Sequence, residues 1–249
     1  MDLNCDLGEL PEAVFDGTQE ALMASITSAN VACGGHAGDH LMMEATVRQA
    51  LQHGVCVGAH PGFPDRANFG RLEMAMTAAQ IADTVYEQVN ALARVAQRCM
   101  ATVGHVKPHG ALYNLAARDA GVSRAIGEGV ARWRRDVILV GLAGSTMLKA
   151  FKAMGFEVAA EAFADRSYEP DGSLRSRRLP DALLHDPHVA AAQALRIAQA
   201  HRVVATDGSE LPLQAQTLCV HGDTPGCVQI AAAVASALRG AGIELRGWR

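Results

Sequence analysis

Residues 77–109 read TAAQIADTVYEQVNALARVAQRCMATVGHVKPH, a long amphipathic helix followed at once by a short apolar strand that ends on a lysine. Thr77 with Gln80 three residues on has the spacing of a capping box, in which each side chain satisfies a free backbone N–H of the other. From there Ile81, Val85, Val89, Leu92, Ala96 and Cys99 recur at helical spacing and lay an apolar stripe along residues 78–99. Gly104–Lys107 then reads as a strand, and the Pro-His-Gly that follows as the turn leaving it. A helix feeding a buried strand is half of a βα repeat, and such repeats build parallel sheets covered by helices.

The same alternation recurs on both sides of this stretch. Short β-branched or apolar runs at Asp2–Asp6, Ser28–Cys33, Val55–Ala59, Val137–Gly141, Phe156–Glu161 and Thr217–Val220 join Gly104–Lys107 to give seven expected strands. Seven strands with helices between them fit a closed or nearly closed TIM-like (β/α) barrel, and 249 residues with 49% hydrophobic side chains suffice for one large core. The expectation is a single barrel domain over residues 1–249. Asp39 is placed to cap a helix running to about His53, while Asp186-Pro187 and Thr224-Pro225 each pair a capping residue with proline at the first helical position. Two stretches break the regularity. Residues 162–186 carry Arg166, Arg175, Arg177 and Arg178 and suggest a lid or partner surface, and residues 205–216 contain Asp207-Gly208 as a turn.

The formal net charge of −4 is spread without any block of like charges, which argues against a nucleic-acid tail or a polybasic membrane patch. Six cysteines, at 5, 33, 56, 99, 219 and 227, form no C-x-x-C pair and sit in or beside apolar segments, as buried reduced thiols do. The Met-Asp-Leu-Asn-Cys-Asp start lacks a basic region followed by an apolar run, and no uninterrupted apolar stretch approaches membrane-spanning length. A soluble cytoplasmic protein is expected.

Polar residues gather where the expected strands end: Asn4, Asp6 and Glu9; Asn30, His36 and Asp39; His60 and Asp65; Lys107 and His109; Glu161, Asp165 and Arg166; His221 and Asp223. In barrels that edge binds ligands, because the strand-to-helix loops converge there. Singly, each residue is as readily a cap or a turn former. Asp39 reads as a cap first, and Asp65 in Gly-Phe-Pro-Asp-Arg as a turn residue. Lys107, ending an apolar strand, is harder to dismiss, because a desolvated ammonium needs an anionic partner. Asp6 has a similar claim, although burial would raise its pKa and a nearby lysine would lower it. His36, His60 and His221 follow three different strands and could, with Asp6, hold a divalent metal. No H-E-x-x-H or C-x-x-C spacing supports this, so the expectation is that no stoichiometric zinc or iron is present. A phosphate loop of the G-x-x-x-x-G-K-[ST] type is also absent from the sequence.

Taken in order, DLNCDLGE (2–9), SANVACGGHAGD (28–39), GAHPGFPD (58–65), HVKPHGALYN (105–114), EAFADR (161–166) and CVHGDTPG (219–226) resemble the LamB/YcsF family from residue 2 to about 243. Two positions depart from its usual pattern: Gly35 stands where phenylalanine is usual and His40 where proline is. Phe-Gly-Arg at 69–71 is kept, but Leu72 replaces a second arginine. The resemblance implies a barrel of about seven strands related to polysaccharide deacetylases. It further implies one component of an ATP-dependent 5-oxoprolinase that works with subunits B and C to convert 5-oxo-L-proline and ATP to L-glutamate, ADP and phosphate, the ATP being held mainly by those partners. On that basis Asp6 or Glu161 is the expected general base and His109 or His221 the proton donor to nitrogen. Lys107 and Arg166 would stabilise anionic charge, and Asn4, Asn30, His36, His60, Asp165, Arg166 and Asp223 would surround the substrate. The competing readings are a non-catalytic scaffolding chain and an independent metal-dependent deacetylase or amidase.

Overall fold

The structure is a computed structural model that describes residues 1–248. The helix read from Thr77 spans Ala78–Arg98, and its capping box is formed: Gln80 N donates to the Thr77 hydroxyl, and Thr77 N donates to Gln80 Oε1 at 2.8 Å. Its apolar stripe from Ile81 to Ala96 is buried. Seven strands close a parallel barrel in the order β1 (Asp2–Leu7), β2 (Ser28–Ala32), β3 (Cys56–His60), β4 (Val103–Val106), β5 (Ile138–Leu142), β6 (Glu157–Phe163) and β9 (Thr217–His221). Between β6 and β9, the short strands β7 (Arg202–Val204) and β8 (Glu210–Pro212) form a separate antiparallel hairpin, turning at Asp207-Gly208. The seven barrel strands are those expected from sequence, with ends moved by one or two residues. β9 closes the ring by pairing with both β1 and β6.

Helices α1 (Pro11–Phe15), α2 (Thr18–Met23), α3 (His40–Gln52), α4 (Ala78–Arg98), α5 (Gly110–Arg118), α6 (Ala120–Trp133), α7 (Thr146–Ala153) and α8 (Pro187–Leu195) lie between the strands in sequence, and α9 (Cys227–Gly240) follows β9. Asp39 caps α3 by accepting from Met42 N at 2.9 Å, and Asp186 caps α8 through His188 N. Thr224 does not cap α9. That helix begins at Cys227 behind Gly226, whose φ of 77° belongs to the left-handed region, and the Thr224 hydroxyl is buried without a partner. The expectation fails because the tight Thr-Pro-Gly turn intervenes before helical geometry starts. No helix is long and apolar enough to cross a membrane among the described residues. The six cysteines are free, and all but Cys56 are fully buried.

The strand period of two sorts β1 sharply. Leu3, Cys5 and Leu7 join the apolar core, while Asp2, Asn4 and Asp6 are buried with polar partners inside the barrel. Asp2 accepts from the hydroxyls of Thr27, Ser28 and Thr217; Asn4 donates to Glu161 and Thr217; Asp6 lies level with Asn30 on β2 and His221 on β9. The barrel axis is therefore a polar column rather than the aliphatic filling common in such barrels. Gly58 makes room for it: a Cβ there would lie 2.0 Å from Nε2 of His105, the neighbouring residue on β4. His105 uses that space to donate from Nε2 to Asn30 Oδ1 at 2.8 Å.

Candidate active site

At the C-terminal ends of the strands this column opens into a cavity of about 1100 Å³, walled by Asp6, Glu9, His60, Lys107, His109 and His221 and rimmed by arginines from the loops. Lys107 follows β4 immediately, and its backbone N–H still pairs with Ala59 O at 2.9 Å, so the stem leaves the sheet inside the barrel. Only 2% exposed, its ammonium lies 2.9 Å from Asp6 Oδ1, 2.8 Å from Glu161 Oε1 and 3.2 Å from Asn4 Oδ1. Burial opposes its charge, yet the Asp6 carboxylate and then Glu161 outweigh burial and hold the Lys107 pKa well above the ordinary lysine value. The reciprocal holds for Asp6. Burial alone would raise its pKa, but His60 and Lys107 hold it well below the usual carboxylate range.

Glu161 and Asp6 play different parts. The oxygens of Glu161 receive Lys107, the Asn4 amide at 3.0 Å and the Tyr113 hydroxyl at 2.7 Å, and the residue is fully buried behind the cavity wall. Asp6 Oδ1 is likewise occupied, by Lys107 and by Asn30 at 2.8 Å, but Oδ2 faces His60 Nε2 at 3.3 Å and the residue lines the cavity. Of the two carboxylates, only Asp6 lines the cavity.

His221 forms a second group. Asp165, fully buried, accepts from the His221 backbone N–H at 2.8 Å and from Nδ1 at 2.9 Å, while the imidazole stacks on Phe163 with ring centroids 5.5 Å apart. Nδ1 is thus the protonated nitrogen, and Nε2 is left for the cavity. Burial opposes ionisation of Asp165, but His221 lowers its pKa below the ordinary value.

The third group is Glu9, His36, His60 and His109. Glu9 Oε1 lies 2.9 Å from His36 Nε2 and 3.2 Å from His109 Nδ1, and His109 Nδ1 lies 3.0 Å from His60 Nε2. His36 stacks face to face on His109 with centroids 3.6 Å apart. Burial, followed by His109, pushes the His36 pKa down to about 4. His60 goes the other way, because the Asp6 and Glu9 carboxylates outweigh its burial and raise its pKa.

The structure sorts the remaining expected site residues by their partners and by whether they line the cavity. His36 and His60 do meet, but with His109 and Glu9, while His221 belongs to Asp165 on the other side of Asp6. Asn4, Asn30, His36, Glu161 and Asp165 do not line the cavity, and each pairs with a residue that does: Lys107, Asp6, Glu9, Lys107 and His221 in turn. Asp223 lines the cavity and is engaged there by Arg71 and by Arg177 at 2.9 Å. Arg166 spends Nε and Nη2 on the carbonyls of Ala182 and Arg175, holding the 164–186 strap; burial and then Arg177 bring its pKa down to about 10. Asp65 is the turn residue it resembled, accepting from the backbone and side chain of Asn68. Gly35 has a packing reason: a Cβ would strike Gln88, whose amide bonds both N and O of Gly62 and so braces the loop that follows His60. Sequence reasoning misses Tyr113. Its position one helical turn after His109 is the available signal.

Comparison with known proteins agrees with this architecture. The chain is 50% identical over 246 residues to the 5-oxoprolinase A subunit of Chloroflexus aggregans, covering 99% of this chain and 98% of that protein. It is 47% identical over 246 residues to the 5-oxoprolinase A subunit of Bordetella pertussis, with 99% and 98% covered. The crystal structure of the lactam utilization protein from Thermus thermophilus superposes with a TM-score of 0.92 at 40% identity, over 100% of this chain and 99% of that one. A T48 deacetylase solved with its substrate shares the fold alone, with a TM-score of 0.51 at 15% identity over 98% of this chain and 85% of that one. The LamB/YcsF family model matches residues 1–249 from end to end, and with these relatives it establishes that the chain belongs to the LamB/YcsF family.

Proposed function

We propose that this chain is the ring-opening component of an ATP-dependent 5-oxoprolinase, acting on 5-oxo-L-proline in the cavity at the barrel mouth. The observation that carries the reading is the placement of His221 Nε2, Asp6 and Lys107 on one cavity, with Asp165 fixing the histidine tautomer and arginines at the rim. The names of relatives sharing half of the sequence support the substrate.

A lactam is a poor electrophile, so its carbonyl carbon must be activated before water can add. Phosphorylation of the lactam oxygen by ATP would do this, and subunits B and C are the proposed site of that step, since this sequence has no phosphate-binding loop of the Walker type. In the cavity, Asp6 takes a proton from water as its oxygen bonds to the activated carbon. The carbon–nitrogen bond then breaks, and the proton taken up by Asp6 passes by way of His221 Nε2 to the nitrogen, which departs as an amine. The γ-carboxyl is left as an acyl phosphate, and a second water releases phosphate and completes L-glutamate. Lys107 holds Asp6 ionised and in place, and the rim arginines suit the carboxylate and phosphate of the activated substrate.

The test is reconstitution: this chain with subunits B and C, 5-oxo-L-proline and ATP should form glutamate. The chain alone should hydrolyse neither substrate. Robust ATP-coupled turnover without partners would refute the division of labour.

A further inference from the structure

We propose that Glu9, His36, His60 and His109 bind one divalent transition-metal ion of the zinc class in the wall of the cavity. The first argument is tautomeric. His60 Nδ1 lies 2.8 Å from Lys107 O and His109 Nε2 lies 2.9 Å from Phe69 O, and only a protonated nitrogen can bond a carbonyl oxygen. Both rings therefore turn their other nitrogen inward, His109 Nδ1 toward Glu9 and His60 Nε2 toward Asp6 and Glu9. Those two nitrogens face each other across 3.0 Å. Such outer hydrogen bonds to backbone carbonyls are how metal-ligating histidines are held.

The second argument is spacing. Donors bonded at about 2.0–2.1 Å around a tetrahedral ion stand roughly 3.3 Å apart. Here the separations are 2.9 Å for Glu9 to His36, 3.0 Å for His109 to His60, 3.2 Å for Glu9 to His109 and 3.8 Å for Glu9 to His60. One ligand atom from each of the four residues falls within 4.8 Å of every other, and all four residues are buried.

His36 is a further pointer: its side chain has no exposure and its Nδ1 has no hydrogen-bond partner, so its position is explained by what Nε2 faces. Three imidazoles and one carboxylate form a borderline donor set that suits Zn²⁺, with Co²⁺, Ni²⁺ and Fe²⁺ as chemical relatives. Glu9, His60 and His109 also line the cavity, which leaves the ion open on that side to a water or a carbonyl oxygen. The metal inference stands independently of the lactam reading, and it replaces the expectation from linear spacing. The ligands come from the C-terminal ends of four different strands or just beyond them, an arrangement that no short motif records.

The experiment uses the untagged full chain, purified without chelator, then stripped and titrated with ZnCl₂ by calorimetry alongside elemental analysis. One equivalent should bind, and the unfolding midpoint of the stripped wild-type chain should rise with zinc concentration, as it must for a ligand of the native state. Glu9→Gln and His109→Gln should each weaken zinc binding by at least about tenfold, whereas the surface substitution His53→Gln should not. Should either variant fail to fold, the wild-type titration and midpoint shift still decide. Wild-type protein that takes up no zinc, or zinc affinity unchanged in folded Glu9→Gln and His109→Gln, would overturn the site.

Discussion

Lys107 Nζ stands between two buried carboxylates, 2.9 Å from Asp6 Oδ1 and 2.8 Å from Glu161 Oε1, and so joins the first and sixth strands of the barrel through the fourth. One cation thereby serves two anions, and the consequences of removing each partner differ.

Lys107→Met leaves both carboxylates buried without their counter-charge and should destabilise the fold by roughly 3–5 kcal/mol, the usual cost of breaking a buried pair from one side. Asp6→Asn should cost less, because Lys107 keeps Glu161. Urea denaturation of both variants measures the difference. Equal losses would mean that Glu161 contributes nothing to holding the ammonium.

Tyr113→Phe removes the donor at 2.7 Å from Glu161 Oε2 and nothing else of its shape. A buried hydrogen bond to a charged group contributes about 1.5–3 kcal/mol. The expected result is a stability loss in that range with the cavity intact. An unchanged denaturation midpoint would show that water replaces the hydroxyl.

Gly58→Ala should be more damaging than a single methyl suggests. Its Cβ would sit 2.0 Å from the His105 ring and force it off Asn30, which positions Asp6. Overpacking of a buried site typically costs about 1–3 kcal/mol, and turnover should fall with it. A near-normal enzyme would show that the ring can move without cost.

His105 also supplies a pH signature. Burial, reinforced by Lys107 and His60, brings its pKa down to about 3. The folded value lies below the unfolded imidazole value near 6.5, so the unfolded chain binds the proton first. Stability from this group is complete above about pH 6.5 and is lost as pH falls toward 3, by on the order of 5 kcal/mol over the window. Denaturation midpoints collected through that range should fall less steeply in His105→Gln, whose amide can still donate to Asn30. The same slope in both proteins would contradict the assignment.

How much of the molecule is legible in its sequence depends on whether the information is local. The capping box at Thr77, the Asp39 cap and the seven strands depend on neighbours in sequence, and each appears where its pattern indicates. The alternation Asp2, Asn4, Asp6 against Leu3, Cys5, Leu7 is equally visible; it marks the strand, while its further meaning, a polar barrel axis, requires knowing that both faces of the sheet are buried. The grouping of His60 with His109 and Glu9, and of His221 with Asp165, cannot be read from spacing. It is fixed by barrel closure, which sets strands β3 and β4 side by side and pairs β9 with β6. Arg166 and Asp223 both line the cavity, but their bonds to the carbonyls of Ala182 and Arg175 and to Arg177 depend on packing of the 164–186 strap, which no local pattern records.

The central claim is that the cavity of this chain opens the ring with His221 and Asp6 as its proton carriers. The most direct test is glutamate formation by the reconstituted complex carrying His221→Gln or Asp6→Asn, measured beside thermal unfolding of the same preparations. Each substitution should lower turnover by roughly a hundredfold or more, the range for loss of one acid or base, while the chain stays folded and still associates with its partners. Folded variants that form glutamate at near wild-type rate would contradict the account and leave the chain a scaffold for chemistry performed elsewhere.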